Sequence, residues 1–318
     1  MGRPLRRHEP GQLYLVTTRC HQARFFLRPD RELNDAVLEW LARAQQRFPR
    51  LRIFAVCVMS NHLHLVVRDE EGELADWASY FLGNLACAVN RIQKRSGTCF
   101  ERRYSGEPIL DDEALQGRLV YVVTNPTKAG LCEHWRDWPG LVLFASEGDP
   151  QEIPVSWVDR DRHRFARVRA RLRGEPAPQG DAFRVQGRLV VDPLPPTDTS
   201  RSDAESINAA IEAQERELAA ERRRAGRKTV GRKRVLAQSW CSAPRQPKRS
   251  PRPLCHASDP GLRRRFREGF NEFVSLFREA SERLRGGDPN ASFPDWCYPP
   301  GLPLVRPAQA GAAWSSAG

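Results

Sequence analysis

The first 150 residues alternate between two spacings of apolar positions. In several segments, apolar residues occur at every second position or in short continuous runs, which predicts β-strands at 12–20, 51–59 and 62–68 and a short strand with a loop at 98–110. Between and after these segments, apolar residues recur every three or four positions, which predicts helices at 30–48, 74–95 and 111–126. Strand and helix patterns therefore alternate in a fixed order over this part of the chain.

That order is strand, helix, strand, strand, helix, strand, followed by one further helix. It is the order of the split β-α-β arrangement of a ferredoxin-like fold, with the helix at 111–126 as an addition. The sequence therefore predicts an α+β fold whose antiparallel sheet is covered by helices on one face. We expect the other face to be free for binding.

Beyond residue 150 the apolar pattern is less regular and mostly helical. It predicts a basic helix at 159–173, a linker with one short strand at 174–200, and helices at 203–225 and 261–285. A proline- and aromatic-rich coil follows the last helix. The final residues, AQAGAAWSSAG, have the composition of a disordered end.

Charge separates the two halves of the chain. The net charge is +12, yet residues 1–150 hold 20 lysines and arginines against 19 acidic residues, and residues 151–318 hold 31 against 20. Residues 222–252 contain twelve lysines and arginines and no acidic residue. This asymmetry favours a polyanion such as DNA as a partner of the second half, although a solvated arginine-rich tail is the alternative.

We therefore divide the chain into three parts: a domain at 1–150, a basic helix and linker at 151–202, and a basic helical accessory region at 203–318. No apolar run approaches the roughly 18 residues that a membrane helix needs, and the N-terminus lacks a signal-peptide pattern. The eight cysteines have no C-x-x-C spacing, so we expect reduced thiols rather than a zinc ribbon or a disulfide framework. These features predict a soluble cytoplasmic protein with no membrane partner.

The segment MSNHLHLVV, residues 59–67, carries two histidines on a predicted strand. Residues i and i+2 of a strand share one face, about 6.6 Å apart, so His62 and His64 point the same way while Leu63 points into the core. Two imidazoles on one face can bind a divalent cation together. The alternative is a pair of hydrogen-bonded structural histidines.

The helix at 111–126 offers further polar groups. Tyr121 and Asn125 are four residues apart, so they lie on one helical face, and Arg118 is close to them. A hydroxyl and an amide oxygen would then project together from this helix. The alternative is a half-buried tyrosine at a helix edge and an asparagine that ends the helix before Pro126.

Both motifs together resemble a known family, the single-tyrosine HUH transposases, and within it the REP-associated tyrosine transposase branch. HLH is similar to its His-hydrophobic-His motif, and YVVTNPTKAGL, residues 121–131, is similar to its tyrosine helix. The likeness covers roughly residues 8–145. It implies a metal-dependent endonuclease and strand-transferase that acts on single-stranded DNA, with hairpin-forming repeats as substrate.

The resemblance also implies site roles. Tyr121 would attack a phosphodiester and form a 5′-phosphotyrosine. His62, His64 and Asn125 would hold Mg²⁺ or Mn²⁺, and two imidazoles suit Mn²⁺ better than Mg²⁺, which prefers oxygen ligands. Whether the tyrosine serves its own subunit or a partner's stays open, so the protein is expected to be a monomer or a homodimer.

Several alternatives stay open. Tyr104, in the basic segment ERRYSGEP, competes with Tyr121 as nucleophile. DNA contacts are expected from cationic side chains that are alternatively ordinary surface charges: Arg102, Arg103, Arg118 and Lys128. A DNA-binding protein that no longer cuts is a second candidate function. A metallohydrolase is a third, with Asp69 as its carboxylate.

Overall fold

The computed structural model describes residues 5–194, 203–244 and 253–300. In chain order it contains β1 (Gln12–Arg19), α1 (Arg31–Arg47), β2 (Leu51–Met59), β3 (His62–Asp69), α2 (Leu74–Ile92), β4 (Ser105–Ile109), α3 (Asp112–Val123), α4 (Asn125–Lys128), β5 (Val142–Phe144), β6 (Gln151–Val158), α5 (Arg160–Arg173), β7 (Arg184–Val191), α6 (Asp203–Arg224), α7 (Arg232–Leu236) and α8 (Pro260–Arg285). The helices and strands predicted from the sequence are all present, although the strand predicted within 98–110 is limited to β4. The disordered end predicted for the last residues lies outside the described residues.

Five strands form one antiparallel sheet in the order β4-β1-β3-β2-β5. The first four have the strand order of the ferredoxin-like arrangement, so the predicted α+β fold is confirmed. β3 lies at the centre and is hydrogen-bonded on both sides, with His64 opposite Thr17 of β1 and Cys57 of β2. β5, which the sequence did not predict, extends the sheet beyond β2.

The first face of the sheet packs against α1 and α2. Alternate residues of β3, Leu63 and Leu65, are fully buried there, together with Trp77 and Phe81 of α2. α1 begins where the carboxylate of Asp30 accepts a hydrogen bond from the amide of Leu33 at 2.8 Å. This face is therefore an ordinary apolar core.

The second face is also covered, which corrects the expectation of a free face. α3 packs on it with fully buried apolar residues that include Leu119 and Val122. α6 adds Ile207 and Ile211 to the same cluster, and α7 adds Val235. The C-terminal extension thus completes the apolar packing around the tyrosine-bearing helix.

The segment interpreted as a linker takes part in the core. The strand predicted within 174–200 is present as β7, and it pairs with β6, which the sequence did not predict. Four side chains of this hairpin join the core on the α1 side: Val155, Trp157, Leu189 and Val191. The short strand predicted within the linker is therefore confirmed, and it belongs to the core because its apolar side chains are buried by packing against α1.

Two compact units are distinguished along the chain. Residues 8–265 form the first, so the boundaries expected at 150 and 202 fall within it. The second contains the described parts of Met1–Arg7 and Phe266–Gly318. No helix among the described residues is long and apolar enough to cross a membrane.

We predict that Ile211→Ala destabilises the first unit by about 2–5 kcal/mol, the usual cost of truncating a buried isoleucine. Ile211 is 2% exposed in the cluster that holds α3. The free energy of unfolding is to be measured by urea titration. Glu217→Ala, at an exposed position of the same helix, is the control and is expected to change stability by less than about 0.5 kcal/mol. Equal stabilities of the two variants would contradict the packing of α6.

Candidate active site

The two histidines of β3 lie on the face covered by α3. Their ring centroids are 4.9 Å apart, with an angle of 82° between the ring planes. His64 is buried and His62 is half-buried. The two rings are therefore close enough to bind one cation together.

Each ring is held through its Nδ1 atom. Nδ1 of His64 lies 2.8 Å from the hydroxyl of Thr17, the residue opposite it on β1. Nδ1 of His62 lies 2.7 Å from Oδ1 of Asn61, in the turn between β2 and β3. In both rings Nε2 is the nitrogen that a cation would use, because a second hydrogen bond of this kind commonly orients a metal-binding histidine.

The end of α3 brings the tyrosine to these histidines. The ring centroid of Tyr121 lies 5.3 Å from that of His64. Asn125 is buried at the start of α4, and its side-chain amide is near enough to influence the pKa values of both Tyr121 and His62. The structure thus brings together the four residues that the two motifs predicted, while their roles stay predictions.

The position of Asn125 depends on a break between two helices. α3 ends at Val123, and Thr124 separates it from α4, which carries Pro126 in its first turn. The hydroxyl of Thr127 donates to the carbonyl of Thr124 at 2.7 Å and holds this junction. Pro126 was expected to end the helical segment. Instead it lies in the first turn of α4, and this second helix directs Asn125 toward the site.

Burial governs the pKa values of the site. It lowers the pKa of His62 to about 4, the nearby charge of Arg19 acts in the same direction, and the hydrogen bond to Asn125 opposes them. Burial raises the pKa of Tyr121 above its usual range, against the opposing effects of Asn125 and of the Arg118 charge. At neutral pH the histidine is neutral, as a metal ligand must be, and the phenol is protonated.

Positive charges surround the tyrosine. The guanidinium of Arg118 lies 5.4 Å from the centroid of the Tyr121 ring, and the ammonium of Lys128 lies 5.3 Å from it. Arg19, which sequence reasoning missed, lies opposite His62 in the sheet. Arg102 and Arg103 lie on the exposed bend before β4. Arg118 and Lys128 are therefore placed to meet an anion beside Tyr121.

Two residues that competed for roles are placed elsewhere. Tyr104 is buried, with its hydroxyl 3.2 Å from Nε2 of His8. Asp69 accepts hydrogen bonds from the amides of Glu73 and Leu74 at 2.8 and 2.9 Å, at the start of α2. Because Asp69 is an odd number of residues from His64 on one strand, the two side chains lie on opposite faces of the sheet. Asp69 thus supports a helix end, which argues against the metallohydrolase.

The carboxylate that does lie on the tyrosine face is Glu107 of β4, which sequence reasoning also missed. Its carboxylate accepts from Ser105 at 2.9 Å and lies 2.8 Å from Nε2 of His256. Its charge raises the pKa of Tyr121 as a minor cause. The pattern of β4 gave no signal for this contact, because His256 comes from a segment about 150 residues later.

The donor set fits a cation that is shared with a substrate. Among the described residues, no three histidine, cysteine, aspartate or glutamate side chains converge on one point. His62, His64 and Asn125 supply two imidazoles and one amide, a set that leaves coordination positions for water or for a phosphate oxygen. Imidazole and oxygen donors together suit Mn²⁺.

A covered sheet with a histidine pair, a tyrosine and an amide on one face defines the class of site: a candidate nucleophile beside a candidate metal centre.

Comparison with known proteins agrees with the motifs. Over 114 residues the chain is 30% identical to a protein of Haemophilus influenzae named "Putative REP-associated tyrosine transposase". The match covers 32% of this chain and 64% of that protein, so the chain spans just under two thirds of its relative. The predicted resemblance is thereby confirmed.

Two solved structures are similar at lower identity. One is a REP-associated tyrosine transposase bound to a REP hairpin, with 18% identity, coverage of 44% of this chain and 81% of that one, and a TM-score of 0.37. The other is a "putative transposase" from Deinococcus radiodurans, with 15% identity, coverage of 39% and 97%, and a TM-score of 0.28. No protein-family model matches the chain.

Asp111, whose carboxylate caps the start of α3, leads to a testable prediction about pH. Burial would raise the pKa of Asp111, but hydrogen bonds from Ala114, Ser258 and Asp259 lower it below its usual range. This stabilisation is present above the ordinary pKa of an aspartate and is lost as the pH falls through the lowered value. We therefore predict that Asp111→Asn costs about 0.3–1 kcal/mol at neutral pH and progressively less in acid.

Urea unfolding at neutral pH and below the ordinary pKa of an aspartate checks this prediction. Asp112→Asn, at an exposed position of the same turn, controls for the change in net charge. A difference between the wild type and Asp111→Asn that stays constant with pH would contradict it.

Proposed function

We propose that the chain is a metal-dependent endonuclease and strand-transferase for single-stranded DNA, a transposase that acts through a phosphotyrosine. The observation that carries this proposal is a cluster on one face of the sheet: the ring centroid of His64 lies 5.3 Å from that of Tyr121 and 4.9 Å from that of His62, with the Asn125 amide beside them. It links the candidate nucleophile to the candidate metal ligands within one chain. The relative named above supports the proposal.

In the proposed reaction the Tyr121 oxygen attacks the phosphorus of a phosphodiester. A bond forms between this oxygen and phosphorus, the bond from phosphorus to the 3′-oxygen breaks, and the phenol proton is lost while the leaving 3′-oxygen gains one. The products are a 5′-phosphotyrosine and a free 3′-hydroxyl. Because the covalent bond keeps the energy of the phosphodiester, the reverse attack by another 3′-hydroxyl rejoins the DNA.

The protein's own groups would prepare this step. The Asn125 amide orients the Tyr121 hydroxyl, and Arg118 and Lys128 offset the charge of the phosphate. Mg²⁺ or Mn²⁺ held by His62, His64 and Asn125 would supply Lewis-acid polarisation of the phosphate. Because the ring centroid of Tyr121 lies 5.3 Å from that of His64 in the same chain, we propose that the tyrosine acts in its own subunit.

Hairpin-forming single-stranded DNA is the proposed partner. The relative is named for its association with REP sequences, and one solved structure described above contains a REP hairpin. Arg102 and Arg103, on an exposed bend, and Arg19 are further candidates for phosphate contacts. Phosphate contacts of this kind position the DNA, and contacts to its bases specify the sequence.

We predict that Tyr121→Phe abolishes the covalent protein–DNA adduct and leaves DNA affinity near the wild-type value, because it removes one hydroxyl. The adduct is to be measured on a denaturing gel after incubation with Mn²⁺ and a single-stranded oligonucleotide from the flanks of the gene. Tyr104→Phe is the matched control and should form the adduct as the wild type does. An adduct that persists in Tyr121→Phe would overturn the assignment, and a wild type that binds DNA without any adduct would favour the non-cutting alternative.

The second prediction concerns the metal. His62→Ala and His64→Ala should each abolish cleavage, Asn125→Ala should weaken it, and EDTA should act like the double histidine variant. The cleavage rate of the same oligonucleotide is the measurement. His163→Ala, which changes a histidine that packs on Phe183 instead, is the control and should cleave normally. Full cleavage in EDTA would refute the metal requirement.

A further inference from the structure

The side chain of Asn61 lies between a loop and the first histidine of the proposed metal site. Its Nδ2 donates to the carbonyl of Ala23 at 3.0 Å, and its Oδ1 lies 2.7 Å from Nδ1 of His62. The residue is only 9% exposed although it occupies a two-residue turn, where side chains are usually solvated. Both ends of its amide are therefore used inside the protein.

These two contacts determine which nitrogen of His62 carries the proton. A backbone carbonyl only accepts hydrogen bonds, so the amide nitrogen of Asn61 must face Ala23 and its oxygen must face His62. That oxygen also only accepts, so Nδ1 of His62 must donate. A neutral imidazole has a single N–H, which leaves the lone pair on Nε2.

We propose that Asn61 is a positioning residue that holds His62 in the Nδ1-protonated tautomer and so presents Nε2 to the cation of the proposed site. The inference deepens the proposed function and rests on it for the identity of the ligand. Thr17 cannot do the same for His64, because a hydroxyl both donates and accepts and therefore fixes the ring but not its tautomer.

The loop that carries the Ala23 carbonyl is itself fixed against the turn. Gln22 and Ala23 both have left-handed backbone conformations, with φ of 55° and 54°, which residues other than glycine seldom adopt. The amide of Cys20 donates to the carbonyl of Asn61 at 2.8 Å, and that of Leu27 donates to the carbonyl of Ser60 at 2.9 Å. The loop that carries the Ala23 carbonyl, the acceptor for the Asn61 amide, is thus hydrogen-bonded to the turn both before and after Ala23.

The C-terminal extension supports this loop from outside. The guanidinium of Arg28 donates to the carbonyl of Gln238 at 2.9 Å, and the amide of Phe25 donates to the carbonyl of Ser242 at 2.8 Å. The orientation of Asn61 therefore depends on residues after α7, so the full chain is the right material for a test.

The tautomer is to be measured by nitrogen NMR of ¹⁵N-histidine-labelled full-length protein without metal, with the His62 signals assigned by their loss in His62→Ala. In the wild type we expect a protonated Nδ1 and an unprotonated Nε2. Asn61→Asp loses the bond to the Ala23 carbonyl but keeps an acceptor oxygen beside Nδ1 of His62, so it should keep this tautomer. Asn61→Ala should shift His62 toward the Nε2-protonated form that free imidazole side chains prefer. The control is Asn84→Ala, which removes an amide bonded to the Tyr80 carbonyl on the other face of the sheet and should leave His62 unchanged.

The affinity for Mn²⁺ alone, measured by electron paramagnetic resonance, gives a second readout that needs no DNA. Loss of such an outer contact typically weakens metal binding about 10–100-fold, which we expect for Asn61→Ala, with Asn61→Asp and Asn84→Ala close to the wild type. An Nδ1-protonated His62 in Asn61→Ala, or equal losses of affinity in Asn61→Ala and Asn61→Asp, would overturn the inference.

The two proposals can fail separately. A wild type that binds no Mn²⁺ and forms no adduct would defeat the proposed function, while the NMR spectra would still report whether Asn61 sets the tautomer. Normal adduct formation together with a wild-type Nε2-protonated His62 would defeat only the inference about Asn61.

Discussion

The alternation of side chains along β3 is the constraint on which the candidate site depends. β3 is hydrogen-bonded to β1 and β2 over its whole length, so a one-residue slip of its register would turn Leu63 and Leu65 away from α1 and α2 and put the polar rings of His62 and His64 in their place. The same register holds His62 and His64 on the opposite face with their rings 4.9 Å apart. The apolar core on one face therefore fixes the geometry of the polar groups on the other.

The tyrosine helix needs a different kind of support, because α3 packs on the sheet through apolar side chains. The C-terminal extension supplies that support at both ends of the helix. At its start, Ser258 donates to the Asp111 carboxylate that caps α3. Beyond its end, Arg222 donates to the carbonyl of Thr127 at 2.9 Å. Residues that sequence reasoning assigned to a separate accessory region thus hold the helix that carries the candidate nucleophile.

The sequence was sufficient for features that depend on local periodicity. The two-residue spacing of His62 and His64 and the four-residue spacing of Tyr121 and Asn125 each predict a shared face, and the structure brings the two faces together.

Contacts between distant segments had no such signal. β6 was missed because QEIPVSWV is interrupted by a proline and only Val155 and Trp157 are buried. In addition, its partner β7 begins 26 residues after β6 ends. The contacts of Asn61 and Glu107 likewise depend on loops and strands far away in the sequence.

The charge of the candidate site suits an anionic substrate better than it suits a resident metal. Two imidazoles and an amide bring no carboxylate to a divalent cation. The carboxylate of Asp69 lies on the other face of the sheet, and that of Glu107 is bonded to His256. Arg118 and Lys128 add positive charge beside Tyr121. A phosphodiester bound between these cations and the ligands would supply the missing negative charge and an oxygen ligand. In the proposed function, metal and DNA therefore strengthen each other's binding, because the metal would bind a phosphate oxygen of the DNA. This coupling acts equally in both directions, as thermodynamic linkage requires.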